Sequence, residues 1–375
     1  MVRQAHTPTV SWFELFYDLV VVAAVSLTND FFLRQPSFTS ALLAVACMTA
    51  LAWVWFLTTL YNNVFPGQDT LRRLVLVVQM AAVIVAALAV DQEHGVSGRA
   101  GLVAYGVALA LLALLILRGA HTTRTPVRLG AVVPIGLAAV ICWIGAFADN
   151  IRSIGFLLAA VAVSMVPILV REYAAWQQRS QLRLDHLRER LGLFVLIILG
   201  EGFAQLVTTL HATGSIPRSD LFALMFLLTF ALWWIYFDGT FAQDTDLALV
   251  RWRLTLLGHL TLVFGIGGTL DILILLTAQE GAELGEGALT YFVACVATVL
   301  VSFALLRYST KGRLGLAGWV EAASGVVILA VGLVLPRGGE EEVLIVVGVC
   351  AAVVIGNAVL AVWTDKQSSP VRSGT

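Results

Sequence analysis

The sequence is short of charge. Asp, Glu, Lys and Arg make up 13% of 375 residues and apolar residues 59%, against roughly a quarter and a half in globular proteins. A water-soluble chain of this length cannot cover itself with so few polar groups, so the missing polar surface must face lipid. Net charge is only −1, which provides neither a nucleic-acid-binding patch nor an acidic tail. Cysteine is scarce: Cys47, Cys142, Cys295 and Cys350 lie inside apolar runs without paired spacing. That argues against disulfides or a zinc site and leaves them as small packing residues. There is no phosphate-cradling Gly loop with Lys-Ser/Thr, no His-Glu-x-x-His and no Gly-x-Ser-x-Gly. His186 and Glu189 have metal-ligand spacing but lack a third ligand, so solvation is the plainer reading. No catalytic residue, metal or cofactor is assigned.

What the sequence has is hydrophobic runs. They extend from about Trp12 to Phe32, Thr39 to Leu60, Leu71 to Val90, Leu102 to Leu117, Leu129 to Ala148 and Ile154 to Val170. After a polar stretch follow Leu191 to Leu210, Leu221 to Phe237, Leu254 to Leu276, Leu289 to Leu306, Leu314 to Leu335 and Val343 to Trp363. Most approach the ~20 residues needed to cross ~30 Å of hydrocarbon; the fourth, sixth and eighth are short. The fold class expected is an all-α integral membrane protein of about twelve transmembrane helices. Glu14 and Asp18 interrupt the first run and no small-residue cleavage site follows it, so this run is expected to be a retained helix, not a signal peptide.

Lys and Arg in short loops stay on the cytoplasmic side. Taking alternate connections from the N-terminus, 18 of the 23 basic residues fall on one side. A missed helix would scramble that alternation, so both termini are placed in the cytoplasm.

The connection from Arg171 to Arg190 divides the runs into two sets of six, residues 1–180 and 181–375. Trp53 with Trp233, Tyr61 with Phe241, Arg73 with Arg253 and Gln79 with His259 all stand 180 residues apart. The Gln-Asp-Thr triplets at 68–70 and 243–245 follow in the same order. Interfacial aromatics recur by chance in membrane proteins; if the duplication holds, six helices per unit make the repeats parallel, related by an axis along the membrane normal.

A carboxylate in hydrocarbon costs at least ~2.5 kcal/mol, so each one needs a reason. Ser11 and Glu14 have capping-box spacing, which explains Glu14 structurally. Asp18 lies one turn deeper on the same face, beyond the reach of capping, and needs a buried partner or a water-filled cavity. Glu201 is ten residues into the seventh helix, ~15 Å deep and near the midplane, between Gly200 and Gly202. Gln205 follows one turn on, and Arg190 is three turns back on nearly the same stripe; a helix–helix hydrogen bond is the structural alternative. Asp238 ends the eighth helix beside Trp233, Trp234 and Tyr236. His259 either titrates near neutral pH or hydrogen-bonds a neighbouring helix. Asp271 and Glu321 have no partner identifiable from sequence.

The stretch Ser11-Trp12-Phe13-Glu14-Leu15-Phe16-Tyr17-Asp18-Leu19-Val20-Val21-Val22 resembles the opening signature of the bacterial low temperature requirement protein A family. His186 to Glu201, Trp233 to Asp238 and His259-Leu260 are similar to its later blocks. A Ser often follows the family's Gly-Glu pair, where this sequence has Gly202. The resemblance implies a multi-pass protein of the bacterial cell membrane and supplies no substrate. Phe16-Tyr17-Asp18 also resembles the Phe-Ser-Asp opening of potassium channels built from two six-helix repeats, an analogy of three residues with one mismatch.

The reading preferred from sequence is a transporter or permeation pathway for a small solute or ion, formed between two six-helix halves. Its pathway residues are Glu14, Asp18, Arg190, Glu201, Gln205, Asp238 and His259, with Asp18 and Glu201 as the ion- or proton-responsive groups. Its partners are the lipid bilayer and a small solute or ion, not nucleic acid; oligomeric state is left open. The contrasting classes are an intramembrane or lipid-modifying enzyme using Glu14, Asp18, His186, Glu189, Asp238 and His259, and a structural protein for growth in the cold. The topology is testable: with the native cysteines replaced, cysteines at Arg179 and Arg124 should resist an impermeant thiol reagent in intact cells while those at Ser97 and Glu283 react. The opposite pattern would invert the orientation.

Overall fold

The computed structural model describes residues 10–34, 38–65, 67, 69–90, 98–124, 129–148, 150–169, 183–213, 218–241, 251–278, 286–334 and 340–368. Within them the chain forms twelve α-helices: α1 (Trp12–Arg34), α2 (Phe38–Val64), α3 (Thr70–Leu88), α4 (Gly98–Thr123), α5 (Leu129–Gly145), α6 (Asn150–Leu169), α7 (Leu184–Thr213), α8 (Ser219–Trp234), α9 (Trp252–Ala278), α10 (Glu286–Lys311), α11 (Gly315–Val334) and α12 (Glu340–Ser368). A π-helical stretch, Ile235–Phe241, continues α8. Nine of these helices are long and apolar enough to cross a membrane, and α5 and α6 contain shorter apolar segments. The expected helix between Leu102 and Leu117 is longer than its hydrophobic run, because α4 continues through Arg118 to Thr123. Positions 171–182 of the long polar connection lie outside the described residues.

The outward faces confirm lipid as the solvent. On α3 the buried face carries Arg72 and Gln79 among Leu76, Met80, Ala82 and Val83, while Leu71, Leu74, Val77 and Val78 are exposed. On α11 Glu321 is buried, and Leu316, Trp319, Val326 and Val327 are exposed. Polar-in, apolar-out helices are what hydrocarbon selects, since each buried polar group needs a partner and the exterior needs none.

The chain divides into two compact units, one of residues 1–34 and 39–194, the other of residues 35–38 and 195–375. In the first, α1 packs on α3, α3 on α4, α4 on α5 and α6, and α5 on α6. Its turn between α2 and α3 is stapled: Asp69 caps α3 by accepting from the Arg72 amide and takes two hydrogen bonds from Arg118 at the end of α4. The Arg118 guanidinium, then the Arg72 amide, hold the exposed Asp69 carboxyl below the usual carboxylate range. The small stabilisation this gives is present at neutral pH and fades as pH falls through the lowered value. Arg72 turns inward instead, donating to the Phe65 and Gly67 carbonyls and to Asn62 while lying over the Tyr61 ring.

In the second unit α9 packs on α10, α10 on α11 and α12, α11 on α12, and α8 on α9 and α12. Close approach of α9 and α10 depends on small residues: a Cβ on Gly265 would stand 3.0 Å from both the Cys295 carbonyl oxygen and the Val299 amide. Gly356 on α12 has open space where its Cβ would be. Gly265→Ala should therefore destabilise the protein by about 1–3 kcal/mol through backbone displacement, whereas Gly356→Ala should be neutral or raise the melting temperature. Thermal unfolding of the two variants in detergent tests the order.

Candidate functional site

The first unit holds a polar centre built from the start of α1, the second half of α2 and the first turns of α7. Ser11 and Glu14 form the expected capping box: Glu14 accepts from the Ser11 amide (3.0 Å) and hydroxyl (2.9 Å), and the Ser11 hydroxyl accepts from the Glu14 amide (3.3 Å). The cap leaves the other Glu14 oxygen free to face outward from α1, where Oε1 lies 3.3 Å from Arg190 Nη1. Capping and ion pairing are thus shared between two oxygens of one carboxylate.

One turn on, Asp18 is fully buried. Its Oδ1 accepts from Arg190 Nη2 at 2.5 Å and from Trp55 Nε1 at 2.6 Å. Phe194 stacks on Trp55 with ring centroids 3.9 Å apart, which fixes the indole so that its N–H meets the carboxylate. Arg190, itself fully buried, also donates to Thr59. Both charges are beyond solvent, so their attraction must offset a desolvation cost of several kcal/mol per ion. No described residue donates to Asp18 Oδ2.

A second chain of contacts fixes a histidine. Asn63 Oδ1 accepts from the Arg183 amide and Nδ2 donates to the Arg183 carbonyl, so backbone sets the orientation of the Asn63 amide. Nδ2 then faces His186 Nδ1 at 3.4 Å. An amide nitrogen only donates, so Nδ1 accepts and the ring proton of the neutral imidazole sits on Nε2, 3.5 Å from Glu14 Oε2. The centre thus brings two carboxylates to one guanidinium, with His186 Nε2 beside Glu14.

Above it, Thr58 receives the Tyr17 hydroxyl and pairs with Gln79, whose amide nitrogen donates to the Ala108 carbonyl. This layer ties α1, α2, α3 and α4 together through groups an apolar core would exclude.

The structure therefore brings together Glu14, Asp18 and Arg190 of the residues expected from sequence. Glu201 and Gln205 are half-buried further along α7, and Asp238 is exposed on the π-helical stretch. His259 is buried in the second unit. Its Nδ1 faces the Thr255 carbonyl at 2.7 Å, which only accepts, so Nε2 takes the Tyr236 hydroxyl at 3.0 Å. That is the helix–helix role weighed for it. His186 is buried and Glu189 exposed, so the two do not present one face to a metal. Among the described residues no group of three His, Cys, Asp or Glu is placed to hold one. Sequence reasoning missed Trp55, Thr59 and Asn63. It also missed the Glu321 partner, Arg307, whose Nε donates to both carboxylate oxygens at 2.8 and 3.0 Å.

Outward apolar helices enclosing ion pairs define a multi-pass helical membrane protein with a buried carboxylate–guanidinium centre. The chain belongs to the family described as Bacterial low temperature requirement A protein (LtrA), whose pattern matches residues 9–358. It is also similar to an uncharacterized protein of Rhizobium meliloti (strain 1021), 29% identical over 276 residues, 68% of this chain and 66% of that one. The match thus spans slightly less than two thirds of that relative's length.

Removing one partner of a buried ion pair costs about 3–5 kcal/mol, whereas replacing both by apolar groups is often neutral. Arg190→Met leaves two carboxylates unbalanced and should lower stability by that amount. Adding Asp18→Leu should recover much of the loss, and a double-mutant cycle on thermal or denaturant unfolding in detergent measures it. Additive losses would show that the two side chains do not act as a pair.

Proposed function

We propose that this protein is a transporter or permeation pathway for a small solute or ion in the bacterial cell membrane, with the Asp18–Arg190 centre as its proton- or cation-responsive element. The observation that carries this reading is the unequal number of carboxylates and guanidinium groups: Glu14 and Asp18 face one guanidinium, and Asp18 Oδ2 is buried without a donor among the described residues. A proton or small cation arriving at Oδ2 balances the centre and weakens the hold of Asp18 on Arg190. A purely structural ion pair needs no such surplus.

The proposed topology is twelve membrane-crossing helices with both termini in the cytoplasm, following the basic-residue bias. The polar centre, at the end where α1 begins, then lies in the cytoplasmic half. Two parallel six-helix repeats are supported by the neighbour scheme, since α3·α4, α4·α5, α5·α6 and α4·α6 are matched by α9·α10, α10·α11, α11·α12 and α10·α12. Gln79 pairs with Thr58 between α2 and α3; 180 residues on, His259 pairs with Tyr236 just beyond α8. Glu201 and Gln205, half-buried on α7, belong to the proposed pathway as a second carboxylate station. Asp238, exposed on the π-helical stretch, and His259 are further candidates for that pathway.

A structural role is the second reading, favoured by the complete burial of Asp18 and Arg190. Asp18→Asn separates the two, because it keeps the hydrogen bonds from Trp55 and Arg190 while fixing the centre in its neutralised state. In proteoliposomes screened against a panel of ions and small solutes over a pH series, the wild type should show pH-dependent flux. The variant should fold and lose that dependence. Wild-type flux and pH profile in folded Asp18→Asn would remove this residue from the mechanism; lost folding with no wild-type flux to any solute would favour the structural role.

A further inference from the structure

A cavity of about 220 Å³ lies in the first unit, lined among others by Cys47, Ala50, Ala86, Gly101, Tyr105 and Ser153. It is set by the start of α2, the end of α3 and the starts of α4 and α6, the ends remote from the polar centre. Small side chains create it. A Cβ on Gly101 would strike Ala89, so α3 and α4 abut there, and the alanines and glycines beside that contact leave the space unfilled.

Its chemistry selects what enters. Among the described residues no charged side chain lines it. The Tyr105 hydroxyl is already donated to the Ala50 carbonyl at 2.9 Å, and the Ser153 hydroxyl reaches the Gly145 and Ala148 carbonyls at 3.4 Å. A polar solute would leave its water here without recovering hydrogen bonds. Apolar cavities stay dry and take apolar guests, and one of about 150 Å³ is large enough for benzene.

The mouth identifies the source. Leu43, Ala86, Gly98, Ile154 and Leu157 on the cavity wall are half-exposed. Beside them Val45, Val85 and Leu158 are exposed, so among the described residues this side of the cavity is flanked by side chains that face hydrocarbon. We infer that this cavity is a binding site for an acyl chain of a membrane lipid, separate from the Asp18–Arg190 centre. On α2 the cavity residues end at Leu51, and the centre begins at Trp55; between them Trp53 donates to Ser164 of α6. The site does not depend on the transport reading.

Photocrosslinking tests it with the full chain in phosphatidylcholine vesicles containing a phosphatidylcholine whose acyl chain carries a diazirine. After illumination and digestion, crosslinks within residues 43–51 and 153–157 should exceed, several-fold, those at Val326 and Val327, which are simply exposed on α11. Ala86→Phe, which fills the cavity, should bring the first set down to the α11 level and leave the second unchanged. Gly98→Leu is the second variant, because a Cβ at Gly98 meets nothing within 4 Å. Labelling no greater in the cavity than on α11 overturns the site, as does labelling undiminished in both variants. A parallel arm with a diazirine-bearing fatty alcohol identifies the source: enrichment with the alcohol but not the phospholipid overturns the lipid assignment.

Discussion

A guanidinium with no access to water constrains the structure around it more than any other group. The planar fork of Arg190 has donors but no acceptor; Nη2 meets Asp18 and Thr59, whereas Nε and Nη1 have no hydrogen-bond partner among the described residues. The pair with Asp18 fixes what surrounds it: Trp55 has to present its N–H to the same oxygen, Phe194 has to hold Trp55 flat, and Thr59 has to lie beside the second hydrogen. Glu14 serves the same end while its other oxygen closes the cap of α1. Three helices are positioned by one charge, and Asp18 meets it from 172 positions away in sequence.

The asymmetry between the two buried ion pairs follows from that distance. Arg307 and Glu321 sit on consecutive helices, 14 residues apart, and the guanidinium Nε reaches both oxygens of one carboxylate. Such a short, two-point contact between neighbouring helices suits a fastening. At Arg190 two carboxylates face one guanidinium and the partners come from distant parts of the chain. That second carboxylate is the feature on which the proposed proton- or cation-responsive role rests.

Much of the fold was legible because hydrocarbon leaves a coarse record. Runs of about 20 apolar residues locate the helices, and Glu14 with Asp18 at a four-residue spacing located half of the polar centre. The other half was obscured by the same signal. Hydropathy ends a helix where charge begins, so the runs start at Leu191 and end at Leu306 and leave Arg190 and Arg307 just outside them, although Arg190 falls on the Glu201 stripe. In fact α7 starts at Leu184 and α10 continues to Lys311. The charged turns that the pattern trims from helices are where the buried ion pairs form. Glu201, the strongest candidate by depth, was found by position alone, and position does not specify partners. Trp55 and Asn63 carry no sequence mark, since an indole beside a carboxylate looks like any interfacial aromatic until the helices pack.

The polar and apolar features of the first unit then have one physical explanation. Along α2 the residues pass from Cys47, Ala50 and Leu51 through Trp53 and Trp55 to Thr58, Thr59, Asn62 and Asn63. Small side chains at one end leave volume unfilled, because no polar group there demands closure. Hydrogen-bonding side chains at the other end are drawn into contact, because in hydrocarbon each has no alternative partner. Gln79 stands where the two regimes meet, its amide spanning from Thr58 to the Ala108 carbonyl. A helix that changes character along its length in this way divides the first unit into an apolar half and a charged half. The hydrogen bonds of Trp55 and Gln79 lie between those halves and join α1, α2, α3 and α4 there.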